Sequence, residues 1–178
     1  MFLFRGRIMK RKNLFSARKI CYVALFMALT IGLSSFSIPV PGGHLYICDI
    51  AICFGALVFD PFSAFLIGGV GSFIGDFIFY PTPMFVSLVT HGLQAVAISL
   101  IVGKKTLRPP VWRTIIALLV GSIIMVVGYT LGRAYIYSTP EYAVIKLPYE
   151  IAQALIGAVI SPILLYKTPL KKWIVHEK

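Results

Sequence analysis

Long apolar segments separated by short turns constrain the fold of this chain more than any other feature of its sequence. Hydrophobic residues make up 58% of the 178 residues and charged residues 13%, whereas soluble domains usually carry about 25% charged residues. A helix needs roughly 20 apolar residues to cross the hydrocarbon core of a bilayer. We therefore expect a single integral membrane domain over residues 1–178.

Six apolar segments are predicted as transmembrane helices, which gives an all-α bundle of six transmembrane helices. The segments cover residues 17–38, 45–59, 62–80, 84–102, 114–131 and 149–166. They follow a basic tail at residues 1–16, in which Met9 is an alternative start to Met1. The breaks between segments contain proline or glycine, because proline lacks the amide donor that a helix needs and glycine is conformationally free.

Basic residues are concentrated near the two ends of the chain and in the loop at residues 104–113. Fifteen of the 17 lysines and arginines lie in these regions, and only Arg133 and Lys146 lie elsewhere. Loops on the cytoplasmic side of membrane proteins are enriched in lysine and arginine. With six helices the loop and both termini fall on one side, and so we expect both termini in the cytoplasm. The same distribution argues against a nucleic-acid partner as the reason for the net charge of +11.

Strongly polar side chains lie in or next to the predicted helices, where each one requires a partner or a function. A rise of about 1.5 Å per helical residue places all of them in the outward half of the bundle. These residues are His44, Asp49, Asp76, His91, Gln94, Arg133, Glu150 and Gln153. We interpret them as a substrate-binding pocket that opens to the outside. The alternative is that Asp76, Arg133 and Glu150 pair with one another and only stabilise the bundle.

Sequence motifs for catalysis or metal binding are absent. The chain contains no Walker A motif, no HExxH motif and no nucleophile elbow. Cys21, Cys48 and Cys53 lack the spacing of metal ligands, and we expect them to be small buried hydrophobic residues. The glycines at residues 68–75 lack the GK[ST] of a phosphate loop, and so we predict that they let helices pack closely. We expect no enzyme activity, no metal and no cofactor.

Three stretches between residues 43 and 76 resemble a family of transport proteins. They are Gly43-His-Leu-Tyr-Ile-Cys-Asp49, Gly55-Ala-Leu-Val-Phe-Asp-Pro61 and Gly68-Gly-Val-Gly-Ser72 with the following Gly75-Asp76. They are similar to the substrate-binding S component of energy-coupling factor (ECF) transporters, in the riboflavin-transporter-like and hydroxymethylpyrimidine/pyridoxine-type branch. Six helices, a basic N-terminus and the pair Ala24 and Ala28 on the first helix are also similar to this family.

The resemblance implies a subunit of the bacterial cell membrane that captures a vitamin from outside. It implies a membrane coupling protein, the T component, and two cytoplasmic ATPase subunits as partners. It further implies that Ala24 and Ala28 contact the coupling protein, and that the loop at residues 39–45 covers the ligand pocket.

The choice of ligand rests on the side chains that we expect around the pocket. Acidic groups suit hydrogen-bond donors of a ligand, and aromatic groups stack on a flat ring, which favours pyridoxine or hydroxymethylpyrimidine. Riboflavin and cobalamin stay open, as does pantothenate with its carboxylate on Arg133. A self-sufficient secondary transporter, and a structural membrane protein without a ligand, are the alternative functions. The first of these often shows duplicated halves, which this sequence lacks.

Overall fold

The computed structural model describes residues 17–103 and 109–169, which form six helices and one β-hairpin. The helices are α1 (Ala17–Ser35), α2 (Asp49–Val58), α3 (Pro61–Phe79), α4 (Met84–Val102), α5 (Val111–Tyr137) and α6 (Pro140–Lys167). Strands β1 (Ser37–Val40) and β2 (Gly43–Tyr46) pair antiparallel. Predictions for the basic tail, for Lys104, Lys105 and Arg108, and for residues 170–178 lie outside the described residues.

Five helices in the described part of the chain are long and apolar enough to cross a membrane. Their outer faces carry large apolar side chains such as Phe85, Leu100 and Ile123, which are 62–64% exposed. A helix with exposed apolar side chains of this size suits contact with lipid. The predicted all-α membrane bundle is confirmed at this level.

Helix α2 is short and differs from the others because it is enclosed by protein. All of its ten residues except Asp49 are apolar, and eight of the ten are buried. Ten helical residues rise only about 15 Å, roughly half the thickness of a bilayer core. Helix α2 packs against α4, α6 and the glycine-rich part of α3, which enclose it.

A β-hairpin replaces the predicted ends of the first two helices. The first helix ends at Ser35 rather than at residue 38, and the second begins at Asp49 rather than at residue 45. Pro41 and Gly42 form the turn between the strands, and Gly42 has a φ of 83°, which glycine adopts without strain. The predicted loop at residues 39–45 thus lies within the hairpin, and we call this end of the bundle the hairpin end.

Helix α6 begins at Pro140, nine residues before the predicted start at residue 149. Pro140 occupies the first helical turn, where its missing N–H is not needed, and Pro148 lies inside the helix. The predicted start at residue 149 is therefore wrong, because the residues from Pro140 onward, which were assigned to a loop, already belong to the helix. The fifth helix is also longer than the predicted 114–131, since α5 continues through a π-helical turn, Arg133–Tyr137.

Glycines on two sides of α3 bring it close to its neighbours. A Cβ atom on Gly68 would lie 2.7 Å from the backbone oxygen of His91 in α4. A Cβ atom on Gly75 would lie 2.8 Å from the Oγ of Ser34 in α1. The predicted packing role of this glycine run is confirmed, and it includes a π-helical turn at Leu66–Val70.

The substitution Gly68→Ala is expected to lower the free energy of unfolding by about 1–3 kcal/mol, because the new methyl group meets a backbone atom that has no room to move. Gly32→Ala on α1 is the matched control, since nothing lies within 4 Å of a Cβ atom there. Thermal unfolding in detergent measures both variants. Equal melting temperatures would contradict the close packing of α3 on α4.

Candidate functional site

Polar side chains gather beneath the hairpin at the hairpin end of the bundle. Seven of the eight residues predicted for the pocket are buried, and His44 is half-buried on β2. The seven are Asp49, Asp76, His91, Gln94, Arg133, Glu150 and Gln153. Hydrogen bonds divide them into three groups, which come from different helices.

The first group, which we call the amide network, is centred on Asp49 at the start of α2. One carboxylate oxygen of Asp49 accepts a hydrogen bond from Nε2 of Gln94 at 3.0 Å, and the other accepts from Nε2 of Gln153 at 2.7 Å. Nδ1 of His91 lies 2.7 Å from Oε1 of Gln94 and donates to it. A carboxylate at a helix N-terminus is also stabilised by the helix dipole. The network joins α2 to α4 and α6.

Gln153 also holds the hairpin. Its Oε1 accepts a hydrogen bond from the backbone N–H of Tyr46 on β2 at 3.0 Å. The same side chain donates to Asp49, and so it connects the hairpin to the start of α2.

The second group is a charge triad of Arg133, Lys146 and Glu150. Oε1 of Glu150 accepts from Arg133 and from Lys146, each at 3.1 Å. Arg133 also donates to the backbone oxygen of Gly42 in the hairpin turn at 2.7 Å. Buried charges need such partners. The predicted pairing of Arg133 with Glu150 is present, whereas Asp76 takes no part in it.

Lys146 is a site residue that the sequence analysis missed. It is 1% exposed, and it belongs to α6 rather than to a loop. Its position four residues before Glu150 was the available signal, because residues at that spacing are neighbours on a helix.

The third group contains Asp76 on α3, Ser87 on α4 and Tyr129 on α5. The Ser87 hydroxyl donates to Oδ2 of Asp76 and is also hydrogen-bonded to the Tyr129 hydroxyl. Ser87 and Tyr129 were not predicted, since single hydroxyl groups in apolar helices form no sequence pattern.

These groups surround a cavity of about 20 Å³, which is room for about one water molecule. Its lining residues are Gly43, His44, Tyr46, Asp76, Tyr80, Pro83, Tyr129, Arg133, Tyr137, Lys146, Glu150 and Gln153. Five of the predicted residues therefore line the cavity. The other three, Asp49, His91 and Gln94, lie behind it in the amide network.

A vestibule of about 280 Å³ lies beside the cavity and is more open. Arg133, Tyr137, Tyr80 and Gly43 line both spaces. A ligand larger than water that passes from the vestibule to the cavity must displace the hairpin or these side chains.

Three polar atoms of the lining residues are buried without a hydrogen-bond partner among the described residues. They are Nδ1 of His44, Nε of Arg133 and the hydroxyl of Tyr137. Buried polar groups are nearly always hydrogen-bonded in folded proteins. These atoms are therefore available to hydrogen-bond with a molecule that enters the cavity.

Aromatic rings form much of the cavity wall. The ring of His44 meets that of Tyr80 edge-on, with 5.3 Å between the centroids. Burial raises the pKa of the Tyr46 hydroxyl, which keeps it protonated and able to donate a hydrogen bond. Such walls suit a flat ring with polar edges.

One group of residues has the composition of a metal site. Potential ligand atoms of Cys48, Asp49 and His91 lie within 4.8 Å of one another. Both carboxylate oxygens of Asp49 already accept hydrogen bonds from glutamine amides. The amide network accounts for this arrangement without a metal ion.

Both the sequence and the fold of this chain are similar to those of known proteins. A family model described as "ECF-type riboflavin transporter, S component" matches residues 14–172. A protein of Pyrococcus woesei, described as "Uncharacterized protein in gap 3'region", is 33% identical over 136 residues, which are 75% of this chain and 89% of that protein.

Two solved structures are similar at low sequence identity. The S component of a bacterial ECF transporter has a TM-score of 0.65 and 16% identity, over 90% of this chain and 99% of that chain. FolT bound with folic acid has a TM-score of 0.62 and 15% identity, over 85% of this chain and 96% of that chain.

The substitution Gln153→Met is expected to lower the free energy of unfolding by roughly 2–4 kcal/mol, because Asp49 and the N–H of Tyr46 each lose a buried partner. Thr130→Val is the control, since the Thr130 hydroxyl has no partner among the described residues. Unfolding in detergent, followed by circular dichroism, compares the two variants. A stable Gln153→Met protein would show that the network does not hold the hairpin end together.

Proposed function

We propose, because this chain belongs to the family of ECF-type riboflavin transporter S components, that its cavity captures a small flat heterocyclic vitamin for import. Members of this family are membrane-spanning, substrate-binding transport subunits and not a class of enzymes. The observation that carries the proposal is the cavity beneath the hairpin, where charged and aromatic side chains from α3, α5, α6 and β2 converge.

Pyridoxine and hydroxymethylpyrimidine are the favoured ligands. Both are single flat rings with polar substituents, and they suit the aromatic walls and hydrogen-bonding groups of the cavity once the hairpin or the lining side chains move to admit them. The unpartnered atoms of His44, Arg133 and Tyr137 are available to a ligand, because they line the cavity.

The hairpin end is proposed to face the outside of the cell. The basic residues at both termini and in the loop at residues 104–113 then lie in the cytoplasm, as the positive-inside rule requires. The ligand would reach the vestibule from outside, with the hairpin covering the cavity.

The T component and two ATPase subunits are the proposed partners, with α1 as the contact surface. Ala24 and Ala28 are exposed on α1, and Gly32 continues the same exposed face together with Cys21, which is exposed rather than buried as the sequence predicted. Small residues let another helix approach closely within a membrane.

Purified protein in detergent is expected to bind one vitamin of a panel with submicromolar affinity by calorimetry. The panel contains pyridoxine, hydroxymethylpyrimidine, riboflavin and pantothenate. Asp76→Ala is expected to weaken binding at least tenfold, which corresponds to about 1.4 kcal/mol, because it removes a polar group of the cavity wall. Thr130→Val serves again as the control.

The absence of binding to every panel member would contradict the capture function and favour a structural role.

Orientation is checked on the same protein, with the substitution Ser138→Cys in the vestibule and with Cys21, Cys48 and Cys53 replaced. A membrane-impermeant maleimide labels this cysteine in intact cells if the hairpin end faces outside.

The substitution Ala24→Leu is expected to abolish co-purification with a T component and its ATPases without changing vitamin affinity, because the larger side chain separates the packed helices. Val159→Phe on α6 is the control, since Val159 is exposed on another helix. Affinity purification of the co-expressed complex measures the association. A self-sufficient transporter would instead show uptake in cells that lack any coupling module.

A further inference from the structure

The charges of the cavity are separated onto two walls. One wall, the cationic wall, is the triad of Arg133, Lys146 and Glu150, with two positive groups and one negative group. The other, the acidic wall, is Asp76 with its partner Ser87. Within the described residues no ion pair joins Asp76 to Arg133 or Lys146. The cavity is therefore dipolar, with a formal charge of opposite sign on each wall.

Each wall has hydrogen-bonding capacity that the described residues leave unused. On the cationic wall, Nε of Arg133 and the neighbouring hydroxyl of Tyr137 are buried without a partner. Arg133 is only 8% exposed, and its other two nitrogens are held by Gly42 and Glu150. On the acidic wall, Oδ2 of Asp76 accepts from Ser87, whereas no described residue donates to Oδ1. The free groups of the two walls are donors on one and an acceptor on the other, and Nδ1 of His44 on β2 is a further free atom of the cavity.

A buried site with little water strengthens the interaction of charges with a ligand. A ligand with one anionic group would pair with the cationic wall but would leave the carboxylate of Asp76 without a counter-charge. A cationic ligand would satisfy Asp76 and leave the cationic wall in excess. A ligand that carries both charges, at separate edges of one ring, compensates both walls.

We infer that the cavity selects a dipolar flat heterocycle, with a protonated nitrogen directed to Asp76 and an anionic oxygen directed to Arg133 and Tyr137. This inference rests on the proposed function and names the class of ligand for the same cavity. It separates the two favoured vitamins. Pyridoxine, as a zwitterion, carries a pyridinium N–H and a phenolate oxygen on one ring, whereas hydroxymethylpyrimidine has no anionic group.

The test compares the affinities of pyridoxine, 3-deoxypyridoxine, hydroxymethylpyrimidine, nicotinate and riboflavin for the purified protein. The zwitterion pyridoxine is expected to bind at least about tenfold more tightly than each of the others, since a charge-assisted hydrogen bond is stronger than a neutral one. Nicotinate supplies an anion without the protonated nitrogen, and 3-deoxypyridoxine lacks the anionic oxygen.

Two variants show whether the two walls cause this preference. Asp76→Asn is expected to reduce the preference for pyridoxine over nicotinate to less than about threefold, because a neutral acidic wall no longer favours a protonated nitrogen and no longer repels a ligand that carries only an anion. Tyr137→Phe removes only a hydroxyl without a described partner, so that it leaves the fold intact. It is expected to weaken pyridoxine severalfold and to leave 3-deoxypyridoxine unchanged.

The outcomes separate this inference from the proposed function. If a neutral or singly charged compound binds most tightly, or if the preference for pyridoxine survives in both variants, the dipolar selection is wrong and the capture function stands. If none of the compounds binds, the capture function itself fails, and the inference fails with it.

Discussion

The satisfaction of buried polar groups within the protein is the constraint on which the rest of this structure depends. A bilayer core offers no water to hydrogen-bond with side chains or backbone, and so each polar group must find a partner in the bundle. Asp49 meets this requirement through two glutamines from two different helices. The same contacts fix the short helix α2 in the centre and, through Gln153, fix the hairpin above it. Packing at the hairpin end is therefore ordered by hydrogen bonds as much as by apolar contact.

The glycines of α3 provide the complementary condition at the level of the backbone. Gly68 and Gly69 lie against α4, and Gly71 and Gly75 lie against α1. Asp76, one residue beyond Gly75, accepts a hydrogen bond from Ser87 on α4, the helix that Gly68 and Gly69 approach. Gly75, which allows close packing, and Asp76, which is a polar group of the cavity, are thus adjacent in the sequence. We regard the glycine run and the acidic wall as one structural unit.

The sequence predicted the level of the site in the bundle but not its complete wall. Counting residues along a helix gives the depth of Asp76, Arg133 and Glu150, and these residues do share a cavity. Counting does not give rotation about the helix axis, and so Asp49, His91 and Gln94 were placed with the ligand although they lie behind the wall. Lys146 was lost for another reason, since it lies before the predicted helix start at residue 149, whereas α6 already begins at Pro140. The hairpin was beyond reach, because its ten residues carry no apolar alternation that distinguishes strands from a loop.

The depth of the cavity determines how strongly the membrane voltage acts on a charged ligand. In the proposed orientation the cavity lies beneath the hairpin, among helices that are long enough to cross a bilayer, and a ligand bound there would lie within the low-dielectric layer. The energy of a monovalent ion that moves into this layer changes by about 2.3 kcal/mol for each 100 mV that it crosses, with a sign that depends on its charge. For a molecule with equal and opposite charges the two contributions largely cancel. The affinity for a dipolar ligand would therefore depend little on the membrane voltage.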